Sequence, residues 1–94
     1  MLKQLFARLR SRTITVNVTA DDIRDGQRSH IRNCPVARAL ARVYPDQDIT
    51  VGVRTAFGES VRILLPAAVV EWIAHYDHNY PIEPITFRAQ VQPR

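Results

Sequence analysis

Four arginines in one short stretch are the residues of this chain best suited to chemistry. Residues 26–44 read GQRSHIRNCPVARALARVY, and they contain no acidic residue. The four arginines of the stretch are Arg28, Arg32, Arg38 and Arg42. Guanidinium groups bind phosphate and carboxylate oxygens in a two-pronged geometry that an ammonium group lacks. Because concentrated positive charge attracts nucleic acid, acidic protein surfaces or anionic lipid head groups, the stretch predicts a binding surface for a polyanionic partner.

A second basic segment occupies residues 1–12, which also lack acidic residues. Its charged residues are Lys3, Arg8, Arg10 and Arg12. Apolar residues recur between them at helical spacing, which predicts a basic amphipathic helix over residues 1–12. We expect this helix to assist the arginine-rich stretch in binding. A codon bias toward arginine is the alternative explanation of the charge, and the sequence leaves it open.

The only cysteine, Cys34, is a candidate reactive thiol. It directly precedes Pro35, which is typical of the first residue of a helix. Helix N-termini and positive neighbours lower the pKa of a thiol, which makes it more reactive. The alternative is a small buried residue without chemistry, since free cysteines are usually buried. A single cysteine also excludes an internal disulfide.

Metal binding and catalysis find little support in the residue pattern. The strongest soft metal ligands of the chain are His30, Cys34, His75 and His78. Their spacing matches no established zinc motif. The chain also has no GxSxG nucleophile motif, no P-loop and no GxGxxG motif. We therefore expect a non-catalytic protein with no metal, no cofactor and no small-molecule substrate, and rank a thiol- or metal-dependent enzyme behind the binding functions.

Length and hydropathy predict one small cytoplasmic domain. The first ten residues are interrupted by Lys3, Gln4 and Arg8, so they lack the apolar stretch of a signal peptide. The longest apolar run, residues 63–70, is too short to span a membrane. In a chain of 94 residues we expect a single α+β domain over residues 13–91, preceded by the basic helix.

Residue alternation and capping signals predict the elements that position these groups. Residues 13–19 alternate and are rich in β-branched side chains, which indicates a strand. Thr19 predicts the N-cap of a short helix that ends at Gly26. A second helix begins at Pro35 and ends before Pro45.

The second half of the chain predicts a hairpin, a helix and a final strand. Two alternating strands, residues 49–54 and 61–65, flank a turn signal at residues 56–59. A helix led by Pro66 then precedes a strand over residues 85–91.

This element order predicts an α+β fold. Helices between strands call for crossover connections on one face of a sheet. The simplest arrangement is a ferredoxin-like βαββαβ-type sandwich, with a four-stranded sheet and an extra N-terminal amphipathic helix. The uncovered face of the sheet would present Arg54, Arg62 and Arg88 among small polar side chains, and no aromatic ring. The lack of a ring argues against base stacking on that face.

The pattern ITV…DI..G.R…CPVA.AL runs from Ile14 to Leu40, and a strand and a proline-led helix follow it. Over residues 13–91 the chain resembles a group of small uncharacterised proteins encoded by phages and bacteria. That group has no assigned chemistry, so the resemblance implies no site residue. It implies a phage or mobile-element origin, in which small proteins bind and modulate larger machines.

These features together predict a phage-type accessory protein. We expect it to bind nucleic acid or an acidic protein surface through the arginine-rich loop and helix. The alternative is a homo-oligomeric structural or inhibitory module, for example a homodimer formed through the N-terminal helix or the uncovered sheet face.

Overall fold

The structure is a computed structural model that describes residues 12–94. Within this range the chain forms five strands and three helices. In chain order they are β1 (Arg12–Val18), α1 (Ala20–Asp25), α2 (Pro35–Val43), β2 (Thr50–Val51), β3 (Thr55–Phe57), β4 (Val61–Leu64), α3 (Ala67–Asp77) and β5 (Ile85–Pro93). The predicted N-terminal helix lies outside the described residues except for Arg12, which is the first residue of β1.

The five strands form one antiparallel sheet in the order β1-β5-β4-β3-β2. β1 pairs with β5 along its whole length, with Arg12 opposite Val91 and Val18 opposite Ile85. β4 pairs with the C-terminal half of β5, where Ile63 also lies opposite Val91. β5 therefore lies inside the sheet, between β1 and β4, although it is the last strand along the chain.

The α+β class is confirmed, but the predicted four-stranded, ferredoxin-like arrangement is not what the sheet shows. That prediction assumed that each helix between strands joins parallel neighbours. Instead, α3 joins β4 to the adjacent antiparallel strand β5, and α1 and α2 carry the chain from β1 at one edge to β2 at the other.

The fifth strand arises because the predicted hairpin contains two turns. The amide of Gly52 donates to the carbonyl of Thr55 at 2.9 Å and closes the β2–β3 turn. The amide of Gly58 donates to the carbonyl of Val61 at 2.9 Å and closes the β3–β4 turn. Phe57, predicted to lie in a turn, is consequently the last residue of β3.

The helices and one face of the sheet enclose the core. Val16 of β1, Leu40 of α2, Ile63 of β4 and Val69 of α3 are fully buried in it. These residues lie at the inward positions that strand alternation and helical spacing predict. Within residues 12–94 the helices therefore cover one face of the sheet, and no described element covers the other.

The opposite side of the sheet, the open sheet face, is polar. Its side chains are Thr13, Thr15, Asn17, Thr50, Thr55, Phe57, Arg62, Leu64, Thr86, Arg88, Gln90 and Gln92. The prediction that this face lacks an aromatic ring is wrong, since Phe57 lies beside Arg62. The guanidinium of Arg94 covers the Phe57 ring at 5.1 Å from its centre. Arg54, predicted here, lies in the β2–β3 turn.

None of the helices in residues 12–94 has the length and apolar character that crossing a bilayer requires.

Candidate functional site

The link between α1 and α2 is a carboxylate buried at the start of α1. Thr19 caps α1, and the capping box is completed by the Asp22 side chain, which accepts from the Thr19 amide at 2.9 Å. The side chain of Asp22 is only 1% exposed. A buried carboxylate is stable in its charged form only when it is paired and hydrogen-bonded. The arginines beside Asp22 are therefore needed to balance its charge.

Arg42 is the main partner of Asp22. Its two terminal nitrogens donate to the two carboxylate oxygens at 2.6 and 2.5 Å, which is the two-pronged geometry expected of arginine. One of these nitrogens also donates to the carbonyl of Asn17 at 2.9 Å, at the edge of β1. The guanidinium of Arg42 thus ties α2 to both α1 and β1.

Arg38 lies beside the same cluster of acidic groups. Its Nε is 3.8 Å from an oxygen of Asp22, and a terminal nitrogen is 3.9 Å from an oxygen of Asp25. Another nitrogen donates to the side-chain oxygen of Asn33 at 3.4 Å. The charges of Arg38 and Arg42 are therefore largely balanced inside the chain.

The pKa of Asp22 shows the strength of this pairing. Burial alone would raise the pKa of the carboxyl, since it disfavours the charged form. The hydrogen bonds from Arg42 and from the Thr19 amide outweigh burial and lower the pKa below 3.8. The same bonds raise the pKa of Arg42. Both groups are charged at neutral pH, as a structural ion pair requires.

Arg28 and Arg32 lie in the loop before α2 and are in a different situation. Both are exposed, and neither forms an ion pair within residues 12–94. Arg28 donates to the side-chain oxygen of Asn79 at 2.5 Å, and its guanidinium lies 5.6 Å from the centre of the Tyr76 ring. Neutral partners orient the Arg28 guanidinium without cancelling its charge.

The loop before α2 contacts the end of α3, and one residue in each of these two segments has an unusual backbone conformation. Ser29 and Asn79 have φ angles of 53° and 62°, the left-handed region that side chains other than glycine enter rarely. The amide of Ser29 donates to Asp77 Oδ1 at 2.8 Å, and Asn79 receives the bond from Arg28. These contacts fix the loop on α3, so the position of Arg28 is defined by the fold.

Aromatic rings lie next to the loop. Tyr80 is 60% exposed. Its ring is nearly perpendicular to the ring of His75, with 5.6 Å between the ring centres. It stacks on the ring of His78, with 6.3 Å between the ring centres. The loop–α3 surface is defined here by Arg28, His30, Arg32, His75, His78 and Tyr80. It combines exposed cations with rings on which a flat group can stack.

A pocket of about 400 Å³ opens beside this surface. Ile31 of the loop and Val53 of the β2–β3 turn line it, together with Val70, Ile73 and Ala74 of α3. The backbone fixes the loop beside β2, because the amide of Val51 donates to the carbonyl of Ile31 at 2.8 Å. The pocket, called the slot below, is therefore lined by apolar side chains from the loop, the β2–β3 turn and α3.

Polar side chains also line the pocket. They belong to His30, Asp77 and His78, and Cys34 contributes to its surface as well. The imidazole of His78 contacts the carbonyl of Ala74 at 2.8 Å through Nδ1. Asp77 uses one carboxylate oxygen for the Ser29 amide, and its second oxygen makes no hydrogen bond within the described residues. One lining residue of the slot therefore has a carboxylate oxygen without a hydrogen-bond donor in residues 12–94.

No family model, no curated protein and no solved structure matches this chain. The case for a function therefore depends on the geometry of residues 12–94.

Cys34 does form the N-cap of α2, next to Pro35. It is buried, with 4% exposure, and it makes no capping hydrogen bond with its side chain. Burial raises the pKa of the Cys34 thiol, and the backbone hydrogen bonds at the helix start only partly oppose this effect. The direction is opposite to that expected of a reactive thiolate.

In residues 12–94 no group of three or more histidine, cysteine or acidic side chains is arranged to hold a metal ion. Lys3, Arg8 and Arg10 lie outside the described residues, so their contribution to binding stays a prediction. The structure thus separates the predicted arginines into an internally paired set, Arg38 and Arg42, and a set without an ion-pair partner in residues 12–94, Arg28 and Arg32.

Sequence reasoning missed the slot and the rings around it. Ile31 and Val53 are 58% and 79% exposed, yet their sequence context gave no sign of this, since each lies in a short segment read as loop or strand. The proximity of Arg28 to Asn79 joins residues 51 positions apart. Only the tertiary fold brings these groups together.

Proposed function

We propose that this chain is a small non-catalytic binding module that holds single-stranded nucleic acid on the loop–α3 surface. The observation that carries the proposal is the guanidinium of Arg28, which is oriented by Asn79 and Tyr76 and has no carboxylate partner within residues 12–94. An oriented and uncompensated guanidinium is suited to a phosphate oxygen.

Exposed rings favour a nucleic acid over other polyanions. Tyr80 offers a ring that is 60% exposed and lies between His75 and His78. Proteins that bind single strands combine phosphate-binding cations with rings on which bases stack. An acidic protein surface would use Arg28 and Arg32 but would gain little from Tyr80.

Within the arginine-rich stretch, Arg28 and Arg32 carry this role. Arg38 and Arg42 support it indirectly, because the hydrogen bonds of Arg42 to Asp22 and the 3.8 Å ion-pair contact of Arg38 with the same carboxylate fix α2 relative to α1. A phage-type accessory role is supported only by the sequence resemblance over residues 13–91, and it stays a prediction.

The test is binding of a fluorescent single-stranded 12-mer, followed by anisotropy over a salt series. We expect the double variant Arg28→Ala/Arg32→Ala to bind about 10-fold more weakly at low salt. The slope of log K against log salt should become shallower by about 1.4, since each single-strand phosphate contact contributes about 0.7.

The matched control is Arg62→Ala/Arg88→Ala, which removes the same charge from the open sheet face. We expect this control to change affinity less than the loop variant and to leave most of the slope unchanged. Absence of binding at low salt, or a larger loss in the control than in the loop variant, would contradict the proposal. Equal competition by poly-glutamate would indicate an acidic protein as the partner instead.

A homodimer is the second candidate, and one observation favours it. β1 lies at the edge of the sheet with β5 as its only partner among the described strands. Exposed edge strands can pair with another chain. Light scattering across a wide concentration range checks this candidate, and a strict monomer would remove it.

A further inference from the structure

Two large aliphatic side chains that line the pocket beside α3 are strongly exposed. They are Ile31 and Val53, with 58% and 79% exposure. Neither side chain belongs to the hydrophobic core, which is formed by other residues. Exposed apolar groups that line a concave site are typical of ligand pockets.

The lining of the pocket suits an apolar ring. Aliphatic side chains of two regions contribute to it, Ile31 and Val53 from the loop and the β2–β3 turn, and Ile73 and Ala74 from α3. Its volume of about 400 Å³ lies in the range of small-molecule sites. Proteins that take up an unstacked nucleobase hold it between apolar or aromatic side chains in this way.

The charges around the pocket fit a nucleotide. Arg28 directly precedes Ser29, and Arg32 directly follows Ile31, so both cations flank the loop residues that line the slot. Among the lining residues, Asp77 has a second carboxylate oxygen that accepts no hydrogen bond from the described residues. Carboxylates accept hydrogen bonds from the exocyclic amino groups of bases.

We infer that the pocket beside α3 receives one unstacked base of the bound single strand and selects bases that carry an exocyclic amino group. This inference rests on the proposed function. Arg28 and Arg32 hold the flanking phosphates, the apolar walls enclose the ring, and Asp77 accepts from its amino group. Thymine and uracil place a carbonyl oxygen where cytosine has an amino group, so the carboxylate repels them.

The experiment compares 12-mers of deoxycytidine and of thymidine, two pyrimidines of similar size, at neutral pH and fixed salt. We expect the unchanged protein to bind the cytidine oligomer about 10-fold more tightly, as one discriminating contact to a charged acceptor provides. The salt dependence should be the same for both oligomers, because Arg28 and Arg32 contact either backbone.

Two variants test the contribution of the slot to binding separately from that of Arg28 and Arg32. Ala74→Phe fills the slot from an exposed position of α3 and should lower cytidine binding to the thymidine level with no change in salt slope. Asp77→Asn keeps an acceptor for the Ser29 amide and adds a donor for the thymine carbonyl. We expect it to abolish or reverse the preference, and this variant carries the test if Ala74→Phe does not fold.

The outcomes distinguish the two proposals. Equal affinity for both oligomers that is unaffected by Ala74→Phe overturns the base pocket and leaves phosphate binding in place. A cytidine preference that survives Asp77→Asn also overturns the assignment of the amino contact. No binding of either oligomer at low salt overturns both the pocket and the proposed function.

Discussion

The two arginine pairs of residues 26–44 differ in what balances their charge. Arg42 forms a two-pronged pair with Asp22, and Arg38 lies within 4 Å of the same carboxylate. Arg28 and Arg32 have no ion-pair partner in residues 12–94, and Arg28 is oriented by an amide and a ring instead. The same residue type in one segment thus serves structure in α2 and remains available for binding in the loop.

This difference shows why charge counts along a sequence overstate a binding surface. Residues 26–44 contain no acid of their own, yet Asp22 lies just before them and folds back onto α2. A buried carboxylate needs its cation, because an unpaired charge in the interior is far more costly than an unpaired surface charge. Arg38 and Arg42 of α2 are therefore already paired with a carboxylate of this chain before any partner binds.

The largest effect should come from removing the buried carboxylate. We expect Asp22→Ala to lower the free energy of unfolding by about 3 kcal/mol, because it removes the hydrogen bonds that the buried carboxylate accepts from the Thr19 amide and from Arg42. Urea denaturation followed by circular dichroism measures the change. Arg24→Ala is the control, since it breaks only exposed ion pairs and should leave the midpoint unchanged. Similar shifts in both variants would contradict the structural role of Asp22.

The comparison of the two pairs is sharpened by truncating one member of each. Arg42→Ala should lower the free energy of unfolding by about 1.5 kcal/mol, a value reduced because the side chain is 52% exposed. Arg28→Ala should lower it by about 0.5 kcal/mol, through loss of the contact with Tyr76. Thermal denaturation measures both. If Arg28→Ala proved the more destabilising, the assignment of the two pairs would have to be exchanged.

A smaller effect is expected on acidification. The folded-state pKa of Asp22 lies below 3.8, so its stabilisation is present above about pH 3.8 and is lost as the pH falls through the lower folded value. The free energy of unfolding should therefore decrease on going from about pH 5 to about pH 2.5. In Asp22→Asn this dependence should be weaker. An identical pH profile in the two proteins would show that the Asp22–Arg42 pair does not contribute.

Cys34, which lies between the two arginine pairs, should show the smallest effect. Because its thiol is buried and its pKa is raised, we expect slow reaction with a thiol reagent at neutral pH and fast reaction after denaturation. Absorbance of the released thiolate measures both rates. Fast reaction in the native protein would restore the reactive-thiol hypothesis.

Local signals in the sequence predicted local structure. Thr19, Gly26 and Pro35 mark the ends of α1 and the start of α2 as their types require, and alternation predicted the buried faces of β1 and β5. These features depend on residues a few positions apart, where backbone geometry alone decides the outcome.

Features that depend on contacts between residues far apart in the sequence were not predicted. The sheet order requires β5 to lie between β1 and β4, and strands of two to four residues carry too little alternation to specify their neighbours. The pairing of Arg42 with Asp22 spans 20 positions, and the contact of Arg28 with Asn79 spans 51. The candidate site is made of such contacts, so only its cations were visible in the sequence.

The interior position of β5, between β1 and β4, has a consequence for biosynthesis. While the ribosome is still translating residues before Ile85, β1 has no strand to pair with and the inner edge of β4 is open. Helices α1 and α2, of six and nine residues, are too short to be stable alone, and the sheet that supports them must wait for β5 to leave the exit tunnel. The nascent chain consequently presents two unpaired edges, and chaperones that shield exposed strands would act on this protein during that interval.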